Sequence, residues 1–146
     1  MKLSHRGFTL VELLVAMVIV GVLTAIAFPA YQGQQRKGSR AAAQAALVNI
    51  ANRQAQYLLD ARNYAVGAGA LAALNVTLPS EVAQFYSVAV ENGAGGTTPA
   101  TPPSFLLRAT PIAGTRQEVD GELRLAHDGT KSRAGTTACT AAMPWP

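Results

Sequence analysis

Glu12 is the residue whose position most calls for a chemical explanation. It stands inside the apolar run FTLVELLVAMVIVGVLTAIAFPAYQGQQ that follows MKLSHRG, and from Leu13 to Gln35 no side chain carries a charge. A carboxylate buried in hydrocarbon is costly, so this one must either reach water at a membrane boundary or meet an opposite charge. The other reactive residue types are scattered. His5 and His127 have no second histidine or acidic cluster at metal-ligand spacing, and His127 stands beside Asp128-Gly129, which reads as a turn. Cys139 is the single cysteine and cannot close an internal disulfide. The sequence has no phosphate-binding loop, zinc-ligand series or nucleophile elbow. No catalytic residue, metal ligand or cofactor is therefore assigned, and the chain is not read as an enzyme.

The element that carries Glu12 is long enough to span a bilayer, which needs about 20 apolar residues of helix. Two readings compete. In a secretory signal peptide, Lys2 and Arg6 would form the positive region, Ala25-Ile26-Ala27 the cleavage site, and the mature chain would begin at Phe28. In a retained membrane helix the same residues stay, and Glu12 needs a partner. The flanking charges are balanced, Lys2 and Arg6 on one side against Arg36, Lys37 and Arg40 on the other, so charge alone does not orient the chain. Tyr31 with Arg36, Lys37 and Arg40 reads as the aromatic and headgroup anchors of a membrane interface.

Helix is expected to continue past the apolar run. Ser39 to Leu59 contains no Gly or Pro, and Ala43, Leu47, Ile50 and Leu58 recur at helical spacing while Gln44, Arg53 and Gln56 point elsewhere. A helix from Phe8 to Leu59 would be about 78 Å long at about 1.5 Å per residue, more than twice a bilayer core, so its second half must pack on something. Gly21 and Pro29 are expected to break or kink it. Gly21, Ala25, Ala27 and Ala30 are small enough to admit a neighbouring helix.

The remainder supplies that packing surface. Asp60 to Gln84 reads as a loop with a short turn of helix at Ala70 to Leu74. Three alternating runs follow: Tyr86, Val88 and Val90 share a face, as do Phe105, Leu107 and Ala109, and Leu123 and Leu125, with Glu122 and Arg124 opposite. NGAGGTTPATPP, from Asn92 to Pro103, is too irregular for a tight hairpin. The economical arrangement is an α+β fold, an antiparallel sheet with one face on the amphipathic helix.

Composition agrees with this division. Of 146 residues 49% are hydrophobic and 14% charged, against roughly 25% charged in an ordinary soluble domain. The length allows one domain and excludes a large multidomain enzyme. The formal charge of +4 is uneven: residues 1–59 hold six basic groups and one acid, and the rest hold six basic and seven acidic groups. A basic stripe of Arg108, Arg116, Arg124, Lys131 and Arg133 is interrupted by Glu118, Asp120, Glu122 and Asp128, so nucleic-acid binding is not favoured.

Arg6-Gly7-Phe8-Thr9-Leu10-Val11-Glu12 resembles the processing motif of type IV pilins. AFPAYQ, RKGSRAAAQAALVNIANRQAQYLLDARNYA and HDGTKSRAGTTAC are similar to PilE-like minor pilins. The resemblance implies cleavage by a prepilin peptidase between Gly7 and Phe8, with N-methylation of Phe8. It implies a contact between Glu12 and a neighbour's amino terminus during assembly, although spacing alone also permits one within a subunit. The implied organisation is a leader at 1–7, a transmembrane and filament-core helix at 8–30 and a periplasmic or extracellular globular domain at 31–146. The fold would be the pilin fold, with Gly21 and Pro29 bounding a segment that extends when subunits pack. Partners would be other pilin subunits, the peptidase and an inner-membrane assembly platform. The subunit would sit in the inner membrane with its N-terminus cytoplasmic, then in a surface pilus serving biogenesis, adhesion or twitching motility. A type II secretion pseudopilin and a DNA-uptake pilin are the alternatives. Losing the leader would leave a charge of +2. Many pilins close their C-terminal region with a disulfide; here the expectation is that packing through Met143 and Trp145 holds it, or that it is mobile.

Overall fold

The computed structural model describes residues 8–134 and Trp145. The expectations for Gly7, His5, Cys139 and Met143 lie outside the described residues. Tertiary contacts divide the chain between Gln35 and Arg36 into two compact units.

In the first unit, helix α1 (Leu10–Ala61) begins. Large apolar side chains are exposed all round it, among them Leu13, Leu14, Val18, Ile19, Leu23, Ile26 and Phe28. It is the one helix among the described residues long and apolar enough to cross a membrane, judged by length and composition. The break expected at Gly21 and Pro29 is absent, because α1 runs through both. Proline in a helix interior costs about 3 kcal/mol and glycine about 1 kcal/mol. Those are local losses, and the intact turns on either side carry the helix past them.

In the second unit the remainder of α1 presents a stripe of buried residues: Ser39, Ala43, Leu47, Ile50 and Gln54. The apolar middle of the stripe lies where the spacing predicts, but its last position is Gln54, and Leu58, expected there, is only half-buried. The helix stops after Ala61, where Arg62 takes a left-handed φ of 54° and its N–H bonds the carbonyl of Leu58 at 2.9 Å, a common way to end a helix.

Two short helices, α2 (Ala70–Ala73) and α3 (Ser80–Ala83), precede four strands, β1 (Tyr86–Glu91), β2 (Leu106–Pro111), β3 (Glu122–Ala126) and β4 (Lys131–Ala134). The sheet is an antiparallel meander in the order β1-β2-β3-β4. Its register aligns Val90 with Leu107 and Val88 with Ala109, then Leu107 with Leu125 and Ala109 with Leu123, so the inward positions of three strands form one surface. Leu47, Ile50, Val82, Tyr86, Val90, Phe105, Leu107, Leu123 and Leu125 belong to the core made there. Each large side chain contributes about 1.5–3 kcal/mol on burial, and this layer supplies most of the unit's stability. Helix α2 forms where the sequence predicts it; α3 and β4 had no counterpart in the sequence reading.

Polar side chains tie the loops to this frame. Asn92 organises the connection from β1 to β2, its Oδ1 accepting from the amides of Ala94 at 3.0 Å and Gly96 at 2.7 Å while its Nδ2 donates to the carbonyl of Thr98 at 2.9 Å. The Trp145 indole N–H donates to the carbonyl of Ser132 in β4 at 3.1 Å. Trp145 also packs against the core; the rest of the C-terminal segment it was expected to hold lies outside the described residues.

Gln54 is fully buried. Its amide donates to the carbonyl of Ala65 at 2.5 Å and accepts from the Ala65 N–H at 3.0 Å, so one side chain satisfies both backbone groups of a buried residue. Removing it strands two groups at about 1–3 kcal/mol each. Gln54→Ala is expected to lose roughly 2–6 kcal/mol of stability, measured by urea unfolding of the detergent-solubilised chain with the emission of its single tryptophan as the probe.

Candidate functional site

The start of α1 is where the sequence places its chemistry. Phe8 is 81% exposed, and Thr9 stands immediately before the first helical residue, with its hydroxyl accepting from the Glu12 N–H at 3.2 Å and its carbonyl accepting from the Leu13 N–H at 3.2 Å. Thr9 is thus the helix cap, and Thr9-Leu10-Val11-Glu12 has the spacing of a capping box. Glu12 is the acidic residue of the first turn. A negative charge there is favoured by about 0.3–1 kcal/mol through the helix dipole. Sequence offers Glu12 either water at a membrane boundary or an opposite charge; the signal passed over is Thr9, three residues earlier.

A second polar cluster lies inside the globular unit, and the sequence reading missed it entirely. Asp120 closes a 3-10 turn, Glu118–Asp120, and is buried. Both its oxygens accept from the Arg40 guanidinium, Nε at 2.7 Å and an Nη in a second contact. Oδ2 also accepts from the Tyr86 hydroxyl at 3.0 Å, and an Nη of Arg133 lies 3.8 Å from Oδ1. Gln117, fully buried, donates to the Tyr86 hydroxyl at 3.1 Å and to the carbonyl of Arg36 at 3.0 Å. Arg116 bonds the Ser39 hydroxyl at 3.0 Å and lies 4.1 Å above the Phe85 ring. Helix, sheet and the 3-10 turn therefore meet at one carboxylate. Arg40, expected at a membrane interface, is committed to Asp120 instead, because a buried carboxylate requires a cation.

The protonation states follow. The Asp120 hydrogen bond and charge push the Arg40 guanidinium further above its already high value, against the opposing effect of burial. Burial pushes the Tyr86 phenol well above its ordinary value, and the adjoining Asp120 charge and hydrogen bond add to the rise.

The remaining cations of the sheet are similarly engaged. Arg108 reaches Glu91 at 3.1 Å and Glu122 at 3.6 Å, and Arg124 pairs with Glu122. Arg108 and Arg124 lie directly opposite one another on β2 and β3, a placement that like charges disfavour; the two glutamates relieve it. Lys131 lies 5.2 Å above the Trp145 ring. The predicted stripe is thus a mixed-charge surface. His127 is exposed in the loop before β4, its N–H bonded to the carbonyl of Phe105 at 3.0 Å. No group of three or more His, Cys, Asp or Glu suited to a metal occurs among the described residues.

Comparison with known proteins gives two family matches. The model described as "Prokaryotic N-terminal methylation motif" matches residues 2–28, and the one described as "Type IV minor pilin ComP, DNA uptake sequence receptor" matches residues 29–122. The type II secretion system core protein G of Escherichia coli (strain K12) is 36% identical over 61 residues, 42% of each chain. Its namesake in Pectobacterium carotovorum subsp. carotovorum is 37% identical over 76 residues, 52% of this chain and 48% of the relative. Fimbrial protein EcpC of Eikenella corrodens is 53% identical over 32 residues, 22% of this chain and 21% of the relative. The chain spans about half the length of the secretion proteins it matches, and less of the fimbrial one. No solved structure matches significantly.

Two outcomes test the buried cluster. Asp120→Ala leaves the Arg40 guanidinium without its carboxylate and in the neighbourhood of the like-charged Arg133, and is expected to cost about 3–5 kcal/mol, read by urea unfolding. Tyr86 is neutral in both states below pH ~10; above it the unfolded chain releases the proton and the folded one retains it, so stability declines as pH rises. Tyr86→Phe should show a shallower alkaline decline in thermal scans.

Proposed function

Because the chain belongs to the type IV minor pilin family, we propose that it is a structural subunit cut between Gly7 and Phe8, methylated on the new amine of Phe8, and drawn from the inner membrane into a filament through α1. The observation that carries this reading is the methylation motif over residues 2–28, coinciding with an apolar helix that nothing else in the described chain covers. The precursor is organised as a leader at 1–7, a membrane helix at 8–30 and an exported domain at 31–146, with the N-terminus in the cytoplasm. Its partners are the prepilin peptidase, an inner-membrane assembly platform and sister pilins. Biogenesis of the pilus, adhesion or twitching motility is the cellular role.

Assembly has a direct physical account. Cleavage leaves an ammonium on Phe8, and methylation keeps its charge. That cation lies at the positive end of the helix dipole, where it is disfavoured. Glu12, one turn later, offsets it, and two charges that are each costly in an apolar core become tolerable as a pair. Closed on a neighbour, the pairing sets the register of the subunit; closed within one chain, it neutralises both charges before the helices pack. Burying half a dozen large side chains of α1 contributes on the order of 10 kcal/mol before the costs of association. Gly21 and Pro29 bound the stretch where helix is cheapest to open as neighbours pack.

Two other readings have specific support. The relatives named core protein G belong to type II secretion systems and favour a pseudopilin; loss of protein secretion with pili intact on deletion would select it. The description of the matched family names a DNA uptake sequence receptor. Against that role, Arg108, Arg124 and Arg133 are engaged by Glu91, Glu122 and Asp120; steep salt-dependent DNA binding would select it.

Intact mass and N-terminal sequencing of the filament or membrane form should give methylated Phe8; Phe28 would identify an ordinary signal peptide and end this reading. Glu12→Ala should be processed normally yet enter sheared filaments several-fold less. Normal incorporation would refute the role given to that carboxylate.

A further inference from the structure

Beside the buried cluster the globular unit carries cationic and apolar side chains that the cluster's ion pairs leave unengaged. Arg36 and Lys37 open the unit on α1, and Arg116 joins them from a position eighty residues further along, bonded to Ser39. No ion pair engages any of the three among the described residues, in contrast to Arg40, Arg108, Arg124 and Arg133. The connection from β2 to β3 that carries Arg116 also exposes two apolar side chains, Val119 at 65% and Ile112 at 37%. One acid adjoins them, Glu118, whose carboxylate accepts from the Gly114 N–H at 2.9 Å. The face therefore remains net positive.

It is also tied to the core by hydrogen bonds from buried side chains. Gln117 bonds the carbonyl of Arg36 and the Tyr86 hydroxyl, Asp120 bonds Arg40, and Ile112 N–H bonds the carbonyl of Phe85 at 2.9 Å. Arg116 and Val119 are thus presented on either side of buried anchors.

We propose that this face, Arg36, Lys37 and Arg116 with Val119 and Ile112, docks the globular unit on anionic phospholipid headgroups while the subunit waits in the membrane. The inference rests on the membrane-anchored reading. Charge complementarity and chain continuity both favour this occupant. Arg36 follows Tyr31 by five residues, which span at most about 18 Å however they are arranged, so the face cannot leave the neighbourhood of a bilayer that α1 crosses. Cations attract the anionic headgroups, and the two aliphatic side chains can enter the acyl boundary.

The test uses the full chain, with Cys139→Ser and Val119→Cys carrying an environment-sensitive dye, reconstituted into phosphatidylcholine vesicles with or without phosphatidylglycerol. Flotation after alkaline carbonate washing checks the anchor in both lipids; failure to float would sink the membrane reading itself. With the anchor in place, dye emission should shift to the blue only with phosphatidylglycerol. Most of that shift should be lost at about 1 M salt, where the screening length falls to about 3 Å. Lys37→Glu alone should diminish it, and Lys37→Glu with Arg116→Gln should abolish it, with unchanged Trp145 emission reporting a folded unit. Arg53→Glu, an exposed change further along α1, should leave it intact. Equal emission in both lipids, or a shift surviving Lys37→Glu and high salt, would overturn the proposal. So would a shift that grows with protein density at fixed lipid composition, since it would put a second copy on this face.

Discussion

A buried carboxylate can be tolerated only where its neighbours are right, and Asp120 imposes that condition on the whole globular unit. Its charge requires Arg40 from the helix, accepts the Tyr86 hydroxyl from β1, and draws Arg133 from β4. The stability ledger of such a group is close to even, because desolvation offsets much of the attraction. The apolar layer around Leu47, Ile50, Leu107 and Leu123 supplies the driving force. What Asp120 adds is selectivity among dockings: an apolar surface accepts a helix slid by a turn, whereas a slid helix would leave the carboxylate without its cation. The hydroxyl of Tyr86 and the amide of Gln117 extend the same condition to the carbonyl of Arg36.

The first unit has the opposite problem. Its side chains are apolar on every face, and the described chain offers nothing to cover them. Lipid and other apolar helices are the environments that meet this requirement. As the first-turn acid of a helix capped by Thr9, Glu12 favours the helix start, and the ammonium proposed at Phe8 would lie one turn from it.

Much of this was legible from residue order because the determinants are local. Hydrophobic run length marks the apolar helix, spacing of three and four marks Ala43, Leu47 and Ile50, and alternation marks the inward faces of three strands. What escaped depends on contacts distant in sequence. Nothing in HIS-like or metal-like spacing draws attention to Asp120, whose partner Arg40 lies eighty residues away, and Arg40 among Arg36 and Lys37 reads naturally as a headgroup anchor. Gln54 replaced Leu58 in the buried stripe because two backbone groups of Ala65 needed a partner there, a demand that periodicity cannot register. Strand β4 is short, and its inward positions carry Lys131 and Arg133, opposite Leu125 and Leu123, so it lacks the apolar alternation by which the others are found.

The buried stripe on α1 has polar fastenings at both ends. Arg36 and Arg40 are held at one end and Gln54 at the other, about 27 Å apart along a helix rising about 1.5 Å per residue. A pull along the helix axis, such as a fibre under tension would transmit, loads these bonds together in shear and does not peel them one by one. Slippage of the globular unit along its own helix must then break both ends at once. Along its helix the globular unit is therefore fastened at two separated points, and shear must overcome both before the sheet shifts.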